Sequence, residues 1–195
     1  TDRAEARDLD DVAQDRVGQV DDLVEGVDQD AQRDVDDLVE HVGAQVFFEE
    51  AAEVGRRQAR NGAHILDVCL QDPDRDEKAD MIVFLEHLTK KIKTPVMIDS
   101  TDSSVIELAL KRLQGKSIIN SVNLEDGEAR FQAVVPLARR YGAALVVGCI
   151  DDDKEQAQAI TKERKLEVAI RSAKLLTEKY GIPIEDIIFD PLVFP

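Results

Sequence analysis

The sequence predicts an α/β fold of parallel strands and covering helices, a (β/α)8-type barrel or part of one. Three observations carry this expectation. From Phe47 onward, helix-period segments and short apolar runs alternate through five units. The apolar runs are continuous, as in parallel strands covered on both faces, and do not show the alternation of a half-exposed sheet. No glycine-rich phosphate loop follows the first run, which disfavours the doubly wound dinucleotide-binding version.

The elements follow in order. Residues 47–61 (FFEEAAEVGRRQARN) have helical period and stop at Asn61-Gly62, a C-terminal stop signal. Ala63 to Cys69 is the first apolar run, and a helix is predicted over about 76–92. Pro95 to Ile98 is the second strand, ending in Asp99, and Ser103 to Leu113 is helical with Gly115 beyond it. Ser117 to Ile119 is the third strand, ending in Asn120, and residues 127–141 form a helix stopped at Tyr141-Gly142. Ala144 to Val147 is the fourth strand and leads into Gly148, Cys149, Ile150 and Asp151. A long helix over about 155–180 closes on Tyr180-Gly181, and Asp186 to Phe189 runs into Asp190-Pro191.

Composition bounds the function. The net charge of −16 argues against nucleic acid as a partner, because phosphate binding needs a basic surface. No apolar run approaches a membrane span and no secretory leader is visible, so no membrane partner is expected and the location is read as cytoplasmic. Cys69 and Cys149 each fall in an apolar run, which suggests buried thiols in a reducing compartment. The Cys and His residues (Cys69, Cys149, His41, His64, His87) have no metal-ligand spacing, so no metal is expected.

A seam falls near residue 46 and divides the chain into a leader, 1–45, and a barrel domain, 46–195. Residues 1–46 carry a balance of −11, and the first lysine in the chain is Lys78. LDDVAQ (9–14), VDDLVE (20–25) and VDDLVE (35–40) recur there. At helical spacing Val20, Leu23, Val24 and Val27 share a face, as do Val35, Leu38, Val39 and Val42. The leader reads either as an acidic amphipathic helix or as a biased, partly disordered segment.

In such a barrel the functional rim lies at the C-terminal ends of the strands. Those positions hold Asp67, Asp99, Asn120, Asp151 and Asp190. Asp and Asn are also common strand terminators and helix caps, which accounts for any one of them taken singly. Asp102 or Ser103 reads as a cap, and Asp151, within DDDKE, as a solvated helix start. Asp99, Asn120 and Asp190 together supply one rim three times over. Carboxylates accept and an Asn amide both accepts and donates. The rim therefore suits a flat ligand with a row of N–H donors and one carbonyl, such as the 2-amino-4-oxo edge of a pterin, a purine or another amide.

Four segments make the reading specific: PVMIDSTDSSVIELAL (95–110), GKSIINSVNLEDGE (115–128), YGAALVVGCIDD (141–152) and KYGIPIEDIIFDPLVFP (179–195). With FEEAAEVGRRQARNGAHILDVCLQDPDRDE (48–77), they resemble consecutive parts of the methyltetrahydrofolate-binding, pterin-binding domain of cobalamin-dependent methionine synthases. The pterin-binding barrel is shared with corrinoid iron–sulfur protein methyltransferases and dihydropteroate synthases, which are the alternatives. The resemblance implies that Asp99, Asn120 and Asp190 anchor the pterin, with Asp67 a fourth member of the rim. Ser121, Asn123 and Gly148 fall in the same strand-end loops and line the pocket. It also implies a methyltransferase that moves the N5 methyl of methyltetrahydrofolate to cob(I)alamin carried by another domain, in methionine synthesis from homocysteine. A pterin-binding fragment without catalysis is the second alternative.

Two departures accompany the resemblance. The family's opening strand has no counterpart before the FEEAAE helix, and its last two strands, with an Asn that contacts N5, have none before Pro195. Five of eight strands are therefore expected, within an incomplete barrel.

Overall fold

The computed structural model describes residues 29–153 and 159–193, with side chains from residue 45 onward. Helix α1 (Gln29–Arg60) comes first, followed by strand β1 (Leu66–Cys69), α2 (Glu77–Lys91) and β2 (Val96–Asp99). Then come α3 (Ser103–Leu110), β3 (Ile118–Val122), α4 (Ala129–Tyr141), β4 (Ala144–Gly148), α5 (Lys162–Lys174) and β5 (Ile187–Asp190). A π-helical turn, Leu175–Lys179, prolongs α5, and a 3-10 turn, Ile184–Asp186, precedes β5.

All neighbouring strands pair in parallel in the order β1-β2-β3-β4-β5. A doubly wound sheet reverses its order at a switch point. The sequential order instead makes the sheet an arc of an α/β barrel, as the sequence predicts.

The faces of the arc follow from side-chain parity, since successive residues of a strand point to opposite sides. Leu66, Val68, Val96, Ile98, Ile119, Leu145 and Val147 are buried beneath the helices. They meet Met81, Leu85 and Leu88 of α2, Ile106 and Ala109 of α3, and Phe131, Val134 and Val135 of α4. Met97, Ile118, Ala144 and Val146 form a second, smaller apolar cluster on the inner face.

Local chemistry sets the helix ends. Asp76 caps α2, its carboxylate accepting from the Lys78 and Ala79 amides at 2.9 and 3.3 Å. Asp102 caps α3, accepting from the Ser104 amide at 2.7 Å. Such caps satisfy amides that the first turn leaves unpaired. Gly142, in the left-handed conformation at φ 70°, ends α4, where a residue with a Cβ is strained.

The structure departs from the sequence reading in four places. The first helix does not begin at residue 47 but runs unbroken from Gln29 across residue 46. The faces expected at Val20 to Val27 lie outside the described residues, and those at Val35 to Val42 outside the described side chains. α5 begins at Lys162, after the Thr161 cap, and residues 154–158 lie outside the described residues. Cys69 is exposed while Cys149 is buried, because Cys69 shares parity with Asp67 on the inner face. Asp151 is no solvated helix start: it is 1% exposed and paired with Arg164, with Arg171 at 3.9 Å. A buried carboxylate is held by such partners.

Candidate functional site

The inner face of the arc turns polar at the C-terminal ends of its strands. Asp99 is the last residue of β2 and pairs in register with Cys69 on one side and Asn120 on the other. Both side chains are half-buried and follow Met97 and Ile118 on the inner face. Adjacent strands lie about 4.8 Å apart, so the carboxylate and the amide stand as neighbours at that pitch. Among the described residues, neither side chain is engaged in a hydrogen bond or ion pair with the protein. A carboxylate and an amide left unspent at a strand end are available to a ligand.

Asp190 ends β5 and pairs in register with Gly148, the last residue of β4. One of its carboxylate oxygens accepts from the Leu192 amide at 2.8 Å, leaving the other oxygen for a ligand. Gly148 thus lies between the pair Asp99–Asn120 and Asp190. A Cβ at this position would meet Asn123 Cβ at 3.8 Å and the Ile150 side chain at 4.0 Å, ordinary contacts that the fold accepts. Asn123 turns its own loop, its side-chain oxygen accepting from the Glu125 amide at 3.0 Å. Ser121 follows Asn120 across a cis peptide bond, and the β3–β4 register shifts between Ile119 and Val122.

Asp67 does not stand at the extreme rim. It lies two residues before the end of β1, opposite Met97, on the same face as Asp99. Its pKa is raised, first by desolvation and then by the Asp99 carboxylate, with the Val68 amide opposing. A raised carboxylate favours the protonated form of the fold, so its contribution to stability is present at low pH and is lost as pH rises through the raised pKa. The Asp67→Asn variant is therefore expected to be more stable than wild type at pH 7. That advantage should shrink as pH falls through the carboxylate range. Urea unfolding at several pH values measures it, and a variant less stable at pH 7 would contradict the assigned cause.

Arg130 is the member of this region that the sequence reading missed. It lies in the first turn of α4, directly after the β3 loop. Its guanidinium donates to three backbone carbonyls: Ser100 O at 2.7 Å, Thr101 O at 2.6 Å and Ser121 O at 3.2 Å. Burial lowers its pKa, against the attraction of Asp102 and Asp99. The signal was present in the sequence: a cation in the first turn of a helix opposes the helix dipole and calls for another reason to be there.

Among the described residues, no three His, Cys, Asp or Glu side chains converge where a metal ion could sit. No described helix is long and apolar enough to cross a membrane. A cavity of about 600 Å³ opens between residues 89–94 and 112–115. It lies at the N-terminal ends of β2 and β3, remote from the polar rim, on the side where barrel residues serve stability more than chemistry.

A parallel arc in sequential order carries a carboxylate, an amide and a second carboxylate along its C-terminal rim, polar groups whose chemistry suits the edge of a flat polar heterocycle. Residues 43–195 match the family described as "Pterin binding enzyme", and the chain belongs to that family. Within it, 150 residues are 37% identical to a methionine synthase of Mycobacterium tuberculosis (strain ATCC 25618 / H37Rv) and 38% identical to a methionine synthase of Mycobacterium leprae (strain TN). Each alignment covers 75% of this chain and 12% of the relative. The chain thus spans about an eighth of the length of those relatives.

Proposed function

We infer that the rim binds methyltetrahydrofolate by its pterin edge and supports transfer of the N5 methyl group to cob(I)alamin, in the synthesis of methionine from homocysteine. One observation carries the reading: Asp99 and Asn120 stand unspent and in register on adjacent strands of the inner face. Membership of the pterin-binding family and the likeness to methionine synthases give the rim its ligand class. That same likeness favours this reading over dihydropteroate synthases and corrinoid iron–sulfur protein methyltransferases.

In this reading Asp99 accepts from the 2-amino group and ring N–H of the pterin, a pair of charge-assisted bonds that also fix the plane of the ring. The Asn120 amide accepts or donates at the adjoining edge. Asp190 contributes the carboxylate oxygen that Leu192 does not occupy, and Asp67 adds a fourth polar group deeper on the inner face. Ser121 and Asn123 bound the loop above the ring. Gly148 leaves room for the ring where a side chain would project.

Cobalamin, held by a separate domain, supplies the cobalt that takes up the methyl group. The share of this chain is orientation: a pterin held by its edge keeps N5 and its methyl group turned toward the open rim. The tertiary amine is a poor leaving group, so N5 needs a proton or a strong hydrogen bond as the bond to carbon breaks.

Calorimetric titration of the chain with methyltetrahydrofolate tests the reading. Saturable binding at one site per chain is expected, and a folded chain that binds no folate would overturn it. The Gly148→Ala variant sharpens the test. The fold is expected to accept the added methyl within about 0.5–1 kcal/mol, while folate affinity falls about tenfold or more, roughly 1.4 kcal/mol. Unchanged affinity would place the ring elsewhere.

A further inference from the structure

We propose that Arg130 is a positioning residue of the pterin site, tying the loop after Asp99 to the loop after Asn120 and so fixing the gap between the two anchors. The inference rests on the pterin reading above. Its geometry is direct. Ser100 and Thr101 immediately follow Asp99, and Ser121 immediately follows Asn120. All three carbonyls converge on one guanidinium, at 2.7, 2.6 and 3.2 Å.

The ladder between β2 and β3 pairs Met97 with Ile118, Ile98 with Ile119 and Asp99 with Asn120, and ends there. Beyond that point the two strand-end segments share no strand pairing, and Arg130 spans the gap. A guanidinium suits the task because its five N–H donors form a rigid planar fork. An ammonium is a point donor on a flexible stem and cannot hold three carbonyls in one plane.

Helix stability does not account for the residue. A cation in the first turn faces the positive end of the helix dipole. Its burial adds a desolvation cost, which the three carbonyls offset. The Asp99 and Asp102 carboxylates add attraction from the site side. The same loop is braced from its other flank, where the Gln71 amide donates to the Thr101 hydroxyl. The anchor Asp99 is therefore followed by a segment fixed from β1 and from α4 together.

The consequence is specific to ligand geometry. Arg130 touches no part of the pterin in this reading. It sets the separation and tilt of two groups whose bonds to a flat ring weaken steeply when misaligned. Small displacements of such groups are costly even when made from a distance.

The test uses the whole chain and the variants Arg130→Met, Arg130→Lys and Val134→Ala. Val134 is fully buried on the same helix and makes no side-chain hydrogen bond to either loop, so its truncation serves as a control for destabilisation of the helix. Methyltetrahydrofolate affinity is measured by calorimetry well below each melting temperature, and amide hydrogen exchange is followed in the ligand-free chain. R130M is expected to lose at least tenfold in affinity and to gain exchange at residues 100–103 and 121–124, with β1 and β5 unaffected. R130K is expected to recover part of that loss. V134A is expected to lower the melting temperature while keeping wild-type affinity.

An R130M chain that binds as wild type, or whose two loops exchange as in wild type, overturns the proposal. So does a V134A chain that loses affinity as R130M does. If wild type itself binds no folate, the pterin reading fails and Arg130's role with it, an outcome distinct from wild-type binding retained in R130M.

Discussion

The Asp99→Ala, Asn120→Ala double variant is expected to lose measurable methyltetrahydrofolate binding while keeping its fold. A hydrogen bond to a charged group contributes about 1.5–3 kcal/mol and a neutral one about 0.5–1.5 kcal/mol. Together they amount to roughly 2–4.5 kcal/mol, or about 30- to 2000-fold in affinity. Neither side chain makes a hydrogen bond or ion pair among the described residues, so truncating them orphans no hydrogen-bonding group of the fold. Removing Asp99 relieves Asp67 of a neighbouring negative charge but also takes an attraction from the buried Arg130 guanidinium, two effects of opposite sign on the folded state. The expected outcome is a melting temperature close to that of wild type with binding abolished. Calorimetry beside a thermal melt separates the two, and an intact affinity would remove both residues from the site.

The second large effect concerns the fold. Phe131→Ala is expected to destabilise the chain by about 3–5 kcal/mol, a fall of about 6–20 °C in melting temperature for a domain of this size. Phe131 is fully buried on α4, and its ring packs against Tyr180 with centroids 6.2 Å apart. That contact joins α4 to the segment that leads into β5, so its loss strikes both ends of the sheet's second half. Tyr180 in turn donates its hydroxyl to Glu128 at 3.0 Å, which draws the segment back onto the start of α4. Chemical unfolding of the two proteins gives the difference, and a loss below about 1 kcal/mol would mean that neighbours refill the space.

Much of this was legible in the sequence, for identifiable reasons. The runs around Ile98, Ile119 and Leu145 are continuous because these strands are covered on both faces, and each became a strand within a residue or two of its expected limits. Asp99 and Asn120 were legible because each breaks an apolar run where the chain leaves the sheet. Asp151 was misread because a run of three aspartates looks solvated, whereas the pairing with Arg164, thirteen residues on, buries the first of them. Arg130 was not read at all: its place in the first turn of a helix was the one signal, and its partners are backbone carbonyls, which leave no trace in side-chain identity. The start of α1 was set too late because a shift in composition is not a shift in helical propensity, and the helix continues through Val46.

The parity of the strands has a consequence for change over time. On β2, Val96 and Ile98 serve the helices while Met97 and Asp99 face the inner side of the arc. The same division holds on β3 between Ile119 and the pair Ile118 and Asn120. Substitutions on opposite faces share no side-chain partners, so their free-energy effects add. Rim positions can therefore be changed one at a time without drawing on the packing that keeps the arc folded. A stabilising change beneath the helices likewise leaves recognition untouched. Rim chemistry and durability in this fold are separate inheritances, carried on alternate residues of the same strands.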